Sequence, residues 1–254
     1  MIPIAIYDVF SGEAAAGNPC GVVELDCWLS DSELQQITAD AGLPVISFIT
    51  KVRSQFHLRW FTSGGEINLC GHGSLGAGAA ILAKYHLDRV MFSSKHGEVE
   101  IAKSKDRYSL LLPAWAAKPC QLPAEISALA ADAIDVFSTR DIVVVLPSVE
   151  KVMNFQPDDY RLQEIRGYHA LILTAANGRD GYVLRYFAPK IGIPEDLATG
   201  SAQCSLAPYW FHKLGLDWLN VRQLSRSGGY FEVERTAGHA IKVFAQAKQR
   251  AVAV

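Results

Sequence analysis

The chain carries one short pattern twice, and that repetition restricts its fold more than any other feature. Arg59-Trp60-Phe61 leads to Glu66-Ile67-Asn68-Leu69-Cys70-Gly71-His72-Gly73, and Arg185-Tyr186-Phe187 leads to Glu195-Asp196-Leu197-Ala198-Thr199-Gly200-Ser201-Ala202. Each copy reads Arg-aromatic-Phe, a loop, Glu, three further residues, Cys or Thr, then Gly and a run of small residues. Each also precedes a segment that is apolar on nearly all sides, Gly71 to Lys84 and Gly200 to Lys213. A helix with no polar face has to be surrounded by protein. Roughly half the chain separates the copies, the spacing of a duplicated domain.

Short β-branched or alternating runs bounded by turn residues fill much of the rest: Ile4 to Phe10, Gly21 to Leu25, Phe56 to Phe61, Gly97 to Ala102, Tyr108 to Leu112, Ile142 to Leu146, His169 to Thr174, Tyr182 to Phe187, Tyr230 to Glu234 and Ala240 to Ala245. Asn177 to Gly181 and Thr236 to Gly238 join strand to strand too tightly for a crossover helix, so the sheets are expected to be largely antiparallel. Ser30-Asp31-Ser32-Glu33 is a capping box, with Leu34, Ile37 and Ala41 on one helical face and Gly42 as the stop. The elements therefore point to an α+β chain in two pseudo-repeated halves with largely antiparallel sheets. The halves are expected at residues 1–115 and 116–254, with a last strand that can return to the first half.

Charge and cysteine usage narrow the function. The 24 Lys and Arg against 26 Asp and Glu leave a net charge of -2 with no basic run, which argues against nucleic acid as a partner. No apolar run reaches the length of a bilayer span, and Met1-Ile2-Pro3-Ile4 has neither a basic region nor a cleavage site, so no membrane partner and a cytoplasmic location are expected. Cys20, Cys27, Cys70, Cys120 and Cys204 are odd in number and widely spaced, fitting neither a disulfide framework nor a zinc ribbon, and their default role is that of small buried hydrophobes. No two histidines have helical ligand spacing, so no metal is expected.

Each apolar helix presents unpaired backbone N–H groups and about half a positive charge at its start. Two such starts facing one cleft would hold a small carboxylic acid. They would also stabilise negative charge spreading onto its carboxylate when a neighbouring C–H is deprotonated.

At these residues the sequence resembles the PhzF-like family of phenazine-biosynthesis proteins. The resemblance is carried in family order by Gly17-Asn18-Pro19, Phe61-Thr62 with Leu69-Cys70-Gly71-His72, Glu195 to Ala202, and Gln223 with Ser225-Arg226-Ser227-Gly228-Gly229. It implies the diaminopimelate-epimerase-like fold, two pseudo-repeated domains each a mostly antiparallel β-sheet wrapped around a central α-helix, together with cofactor-independent chemistry and a homodimer. Superfamily racemases place a cysteine before each central helix. Here Cys70 matches the first and Thr199 stands at the second, and a hydroxyl cannot replace a thiolate as base. The family's proton-handling glutamate is also missing: anchoring Ile37, Leu43 and Phe48 puts Val45 at its place, with Pro44 and Ile46 where Ser and Thr are usual, and Asp40 back on the preceding helix. Leu197 and Gln203 replace a common Pro and His.

Asp196 and His72 are the expected proton-handling pair, although an acid before a helix and a lone histidine at a helix start also have structural readings. Beside the positive helix end, His72 is expected to be neutral at pH 7. Cys70 is a possible catalytic thiol. Thr199 and Ser201 fit N-caps, Asn18 a turn or a substrate contact, and Trp60, Tyr209 and Trp210 packing. Asn18, Gly71, Gly73, Gly200 and Ser201 form the expected substrate cradle. The expected function is isomerase or epimerase chemistry, moving a proton at carbon in a small carboxylic acid. The alternative is a non-catalytic acid-binding or regulatory homologue.

Overall fold

The computed structural model describes residues 2–12 and 14–251. The chain divides into two compact units, Met1–Leu111 with Phe244–Val254, and Leu112–Val243.

The first unit holds β1 (Ala5–Ser11), β2 (Asn18–Leu25), α1 (Asp31–Ala41), β3 (Ile46–Val52), β4 (Gln55–Thr62), β5 (Gly65–Ile67), α2 (Gly71–Tyr85), β6 (Arg89–Ser94), β7 (Gly97–Ser104) and β8 (Arg107–Pro113), the last ending just past the boundary. Its strand order is β1-β2-β3-β4-β6-β7-β8, with β5 on β4. Most pairings are antiparallel, but β2–β3 and β4–β6 run parallel. Parallel neighbours need a crossover, and the two helices supply one each: α1 links β2 to β3, and α2 lies between β4 and β6. The capping box forms: Ser30 Oγ accepts from the Glu33 amide and Glu33 Oε2 from the Ser30 amide, while Gly42 closes the helix in the left-handed region.

The second unit holds β9 (Lys118–Pro119), β10 (Asp135–Ser138), β11 (Ile142–Val145), α3 (Val149–Asn154), α4 (Asp159–Glu164), β12 (Leu171–Ala176), β13 (Gly181–Phe187), α5 (Gln203–Leu214), β14 (Trp218–Gln223) and β15 (Gly229–Arg235), and β16 (Ala240–Gln249) crosses the boundary after Val243. Beyond β15 the order runs β14-β13-β12-β11-β10-β9. Again two joints are parallel, β11–β12 and β13–β14, spanned by α3 with α4 and by α5. The duplicated sequence pattern thus sits on a duplicated strand–helix–strand unit, β4–α2–β6 and β13–α5–β14.

Helix α2 packs against β1, β2, β3, β6 and β7, which is why no polar face is needed. Its glycines are contact points. A Cβ on Gly78 would lie 2.4 Å from Ile101 Cγ2 and 2.6 Å from its Cβ, too close to the strand for a rotamer change to relieve. Alanine gains about 1 kcal/mol of helix propensity but overpacking costs about 1–3 kcal/mol. Gly78→Ala is therefore expected to destabilise by about 1–2 kcal/mol in urea unfolding, and adding Ile101→Ala should not increase that loss by the full cost of a core truncation.

Three expectations change. The second apolar helix does not begin as an α-helix at Gly200: Gly200–Ala202 is a 3-10 turn and α5 starts at Gln203. Pro208 lies inside α5, and the Cys204 carbonyl it cannot bond accepts the Trp115 amide at 2.8 Å instead. Thr199 and Ser201 are not side-chain N-caps, because no cap bond forms there and the Thr199 hydroxyl turns to Asp196. Cys27 is exposed, since it falls in the loop between β2 and α1, and Cys120 is only half-buried. Strands β3, β6, β10 and β14 and helices α3 and α4 were not among the expected elements.

No helix among the described residues is long and apolar enough to cross a membrane.

Candidate functional site

In the first unit the site begins with a brace. Arg59 grips Glu66 through Nε at 2.8 Å and Nη2 at 2.7 Å, and Nη2 also reaches Asp31 of α1 at 2.8 Å. This fork fixes β5 and the loop that delivers Cys70 to the start of α2. Cys70 is the N-cap, with φ -137° and ψ 105°, and its Sγ accepts from the Gly73 amide at 3.4 Å. The amides of Gly71 and His72, by their place in the first turn, have no intrahelical acceptor. Ser47 Oγ donates to the Gly73 carbonyl at 2.9 Å, which fixes the turn from β3.

His72 Nδ1 lies 3.3 Å from Cys70 Sγ, and its Nε2 is shielded from solvent with no hydrogen-bond partner among the described residues. Burial pushes the ring down to about 4, so it is neutral at pH 7; desolvation is the cause, in place of the helix dipole expected from the sequence. The sign of the resulting pH effect follows. An unfolded histidine takes up a proton near pH 6.5, the buried one only near 4, so the unfolded state binds more protons between those values. Stability is therefore expected to fall by about 2–3 kcal/mol as pH drops from 7 to 4, and His72→Gln should remove that part of the slope in urea titrations at each pH.

Trp60, 1 % exposed, has an indole N–H that also lacks a partner among the described residues, and its Cδ1 would be 2.9 Å from a Cβ on Gly73. Asn18, buried, opens β2 opposite Val9. Gly17 makes that possible: its φ is +79° and a Cβ there would meet the Val9 carbonyl oxygen at 2.3 Å. Val45 is buried, with its carbonyl bonded to the Gly21 amide, and Asp40 is exposed on α1, accepting from Gln36. A 300 Å³ cavity elsewhere in this unit, lined by Phe56, Leu87 and Met91 among others, includes none of these residues.

The second unit repeats the brace. Arg185 grips Glu195 through Nε at 2.7 Å and Nη2 at 3.0 Å, and its Nη1 donates to the Phe155 carbonyl at 2.7 Å. Both arginines lie over the phenylalanine two residues on, at 4.9 Å for Phe61 and 4.8 Å for Phe187. Thr199 holds the backbone position of Cys70, with φ -117° and ψ 98°. Its hydroxyl donates to Asp196 Oδ2 at 2.6 Å. Gln223, buried at the end of β14, ties the segment together: its Oε1 accepts from the Thr199 amide at 2.7 Å and its Nε2 donates to the Asp196 carbonyl at 2.7 Å. Asp196, Gly200 and Ser201 are thus gathered around the first turn before α5. Below them Tyr182 donates to Gln203 at 2.5 Å.

Cys70, Gly71, His72 and Gly73 come together in the first unit, and Asp196, Thr199, Gly200 and Ser201 in the second. Sequence reasoning missed two contributors to the second set. Gln223 stood out only as part of a motif, and Arg140, whose Nη2 lies 3.5 Å from Ser201 Oγ, carried no signal because it lies outside the repeat. Among the described residues no three His, Cys, Asp or Glu side chains gather in a group able to hold a metal ion.

The family described as phenazine biosynthesis-like protein matches residues 7–251. An uncharacterized isomerase of Vibrio cholerae serotype O1 is 73% identical over 254 residues, covering 100% of this chain and 91% of that protein. The crystal structure of a phenazine biosynthesis protein of the PhzF family from Enterococcus faecalis superimposes with a TM-score of 0.90 at 30% identity, over 98% of each chain. A hydroxyproline epimerase from Agrobacterium vitis shares the fold alone, with a TM-score of 0.57 at 10% identity over 98% of this chain and 91% of that one.

Proposed function

The chain belongs to the phenazine biosynthesis-like protein family, and from that premise we propose that it is an isomerase-type enzyme moving a proton at carbon in a small carboxylic acid, without a cofactor. The observation that carries this reading is the neutral His72 ring, held by Cys70 at the start of α2 with Nε2 shielded and unpartnered. A buried polar atom left unsatisfied in the free protein is one that a ligand can complete. The name of the Vibrio cholerae relative supports the same reaction class.

In the proposed reaction the amides of Gly71 and His72 and those of Gly200 and Ser201 take the carboxylate, with Asn18 at its side. Gly73, whose amide is occupied by Cys70, contributes by having no side chain. The Asp196 carboxylate removes a proton from the acidified C–H, the electron pair spreads toward the carboxylate, and the neutral His72 ring takes that proton up and returns it to carbon, which restores both side chains. Cys70 orients the ring. The family likeness extends the proposal to a homodimer, and the sequence reading extends it to a cytoplasmic location.

Incubation in deuterium oxide with a panel of α-hydroxy, α-amino and unsaturated acids tests it. Deuterium entering at carbon in at least one acid is expected; entry into none contradicts it.

The buried valine favours a second reading, an acid-binding homologue without turnover, because Val45 puts an apolar side chain where the family resemblance expects a glutamate. Turnover by wild-type protein that disappears in Asp196→Asn rejects that reading, whereas turnover gained only in Val45→Glu supports it.

A further inference from the structure

The guanidinium of Arg140 is held on one edge and one face. Asp141, fully buried, accepts from its Nε at 3.2 Å and its Nη2 at 3.0 Å. The Trp115 ring lies 5.1 Å from it, and Tyr186 Oη accepts from Nη2 at 3.1 Å. These contacts account for Nε and Nη2. They leave Nη1 without a partner among the described residues on a side chain that is 38% exposed. Nη2 also approaches Ser201 Oγ at 3.5 Å, the outer limit of a hydrogen bond, and the Ser201 hydroxyl has no shorter contact among the described residues.

We propose that Arg140 docks a second carboxylate of the substrate, making the acid a dicarboxylic one; this rests on the functional reading above. Nη1 and the Ser201 hydroxyl are two donors that a ligand oxygen can use in place of their long mutual contact, and a planar guanidinium matches a carboxylate in two-point geometry. A purely structural role would need the charge of Arg140 only to neutralise Asp141, and the edge bearing Nη1 would serve nothing. Charge also selects the ligand class. Asp141 already cancels the single positive charge and Asp196 adds a negative one nearby in sequence to Ser201, so a dianionic phosphate is disfavoured against a carboxylate.

Malate and lactate differ by the second carboxylate and serve as probes. Calorimetric titrations are run on wild type, on Arg140→Lys, and on the double variant Arg140→Gln with Asp141→Asn, which avoids leaving a buried carboxylate unpaired. Wild type is expected to bind malate about 10-fold or more tightly than lactate, as one charge-assisted contact provides. Arg140→Lys should shrink that preference, and the double variant should abolish it while keeping its lactate affinity within about twofold. Equal binding of both acids by wild type, a preference retained in the double variant, or joint loss of both acids in both variants overturns the proposal alone. Binding of neither acid by wild type overturns it together with the reading it rests on.

Discussion

Asp196→Asn is expected, on the proposed function, to lower the rate at which solvent hydrogen enters the acid by about 100- to 10,000-fold, the loss that follows removal of a positioned proton-transfer group. That range equals about 3 to 5 kcal/mol of barrier. The substitution is chosen because it leaves the local structure in place. The Asp196 amide bonds the Tyr186 carbonyl at 3.0 Å and its own carbonyl accepts from Gln223, and neither contact involves the side chain. An asparagine oxygen can still accept the Thr199 hydroxyl, so the midpoint of thermal unfolding should stay within a few degrees of wild type. Exchange rate and melting temperature measured on the same preparation separate chemistry from folding. Retention of wild-type exchange within about twofold would remove Asp196 from the reaction.

Glu195→Ala is expected to be the more destabilising of the two brace deletions, at about 3 kcal/mol. Arg185, 11% exposed, would keep its buried position without a counter-charge, and breaking a buried pair by removing one partner costs about 3–5 kcal/mol. The corresponding Glu66→Ala should cost about 1 kcal/mol, because Arg59 is 20% exposed and keeps Asp31 at 2.8 Å. Urea unfolding of the two variants therefore tests whether the repeated fork is more deeply set in the second unit. Equal costs would show that burial of the arginine does not govern the pair.

The repeat made this arrangement legible before any coordinates. Arginine, glutamate and the glycine that follows lie at matching places in both copies, and each becomes a bidentate brace followed by a residue with extended backbone at the helix start. The capping box at Ser30 was equally readable, since its two hydrogen bonds lie within four residues. What escaped was set by tertiary packing. Strand β3 is buried from Ile46 to Thr50, so it shows no alternation, and in β6 the apolar but exposed Met91 between Val90 and Phe92 hides the alternate burial, whereas β14 does alternate, through Leu219, Val221 and Gln223. The four parallel joints escaped because turn chemistry reports hairpins and not crossovers. Within the site, an adjacent Arg140-Asp141 dipeptide looks like any turn until β10, β11 and the segment at Ser201 meet. The role of Gln223 likewise depends on β14 lying beside β13, which brings a residue far along the chain to the Asp196 carbonyl.

The claim on which the functional account rests is that both first turns, one before α5 and one opening α2, grip the same organic acid. Amide chemical shifts of ¹⁵N-labelled protein titrated with malate test this most directly. The account predicts that the amides of Gly71 and His72 and those of Gly200 and Ser201 move along a single saturation curve with one dissociation constant. Movement of one pair alone, or of the two pairs with different constants, would contradict it.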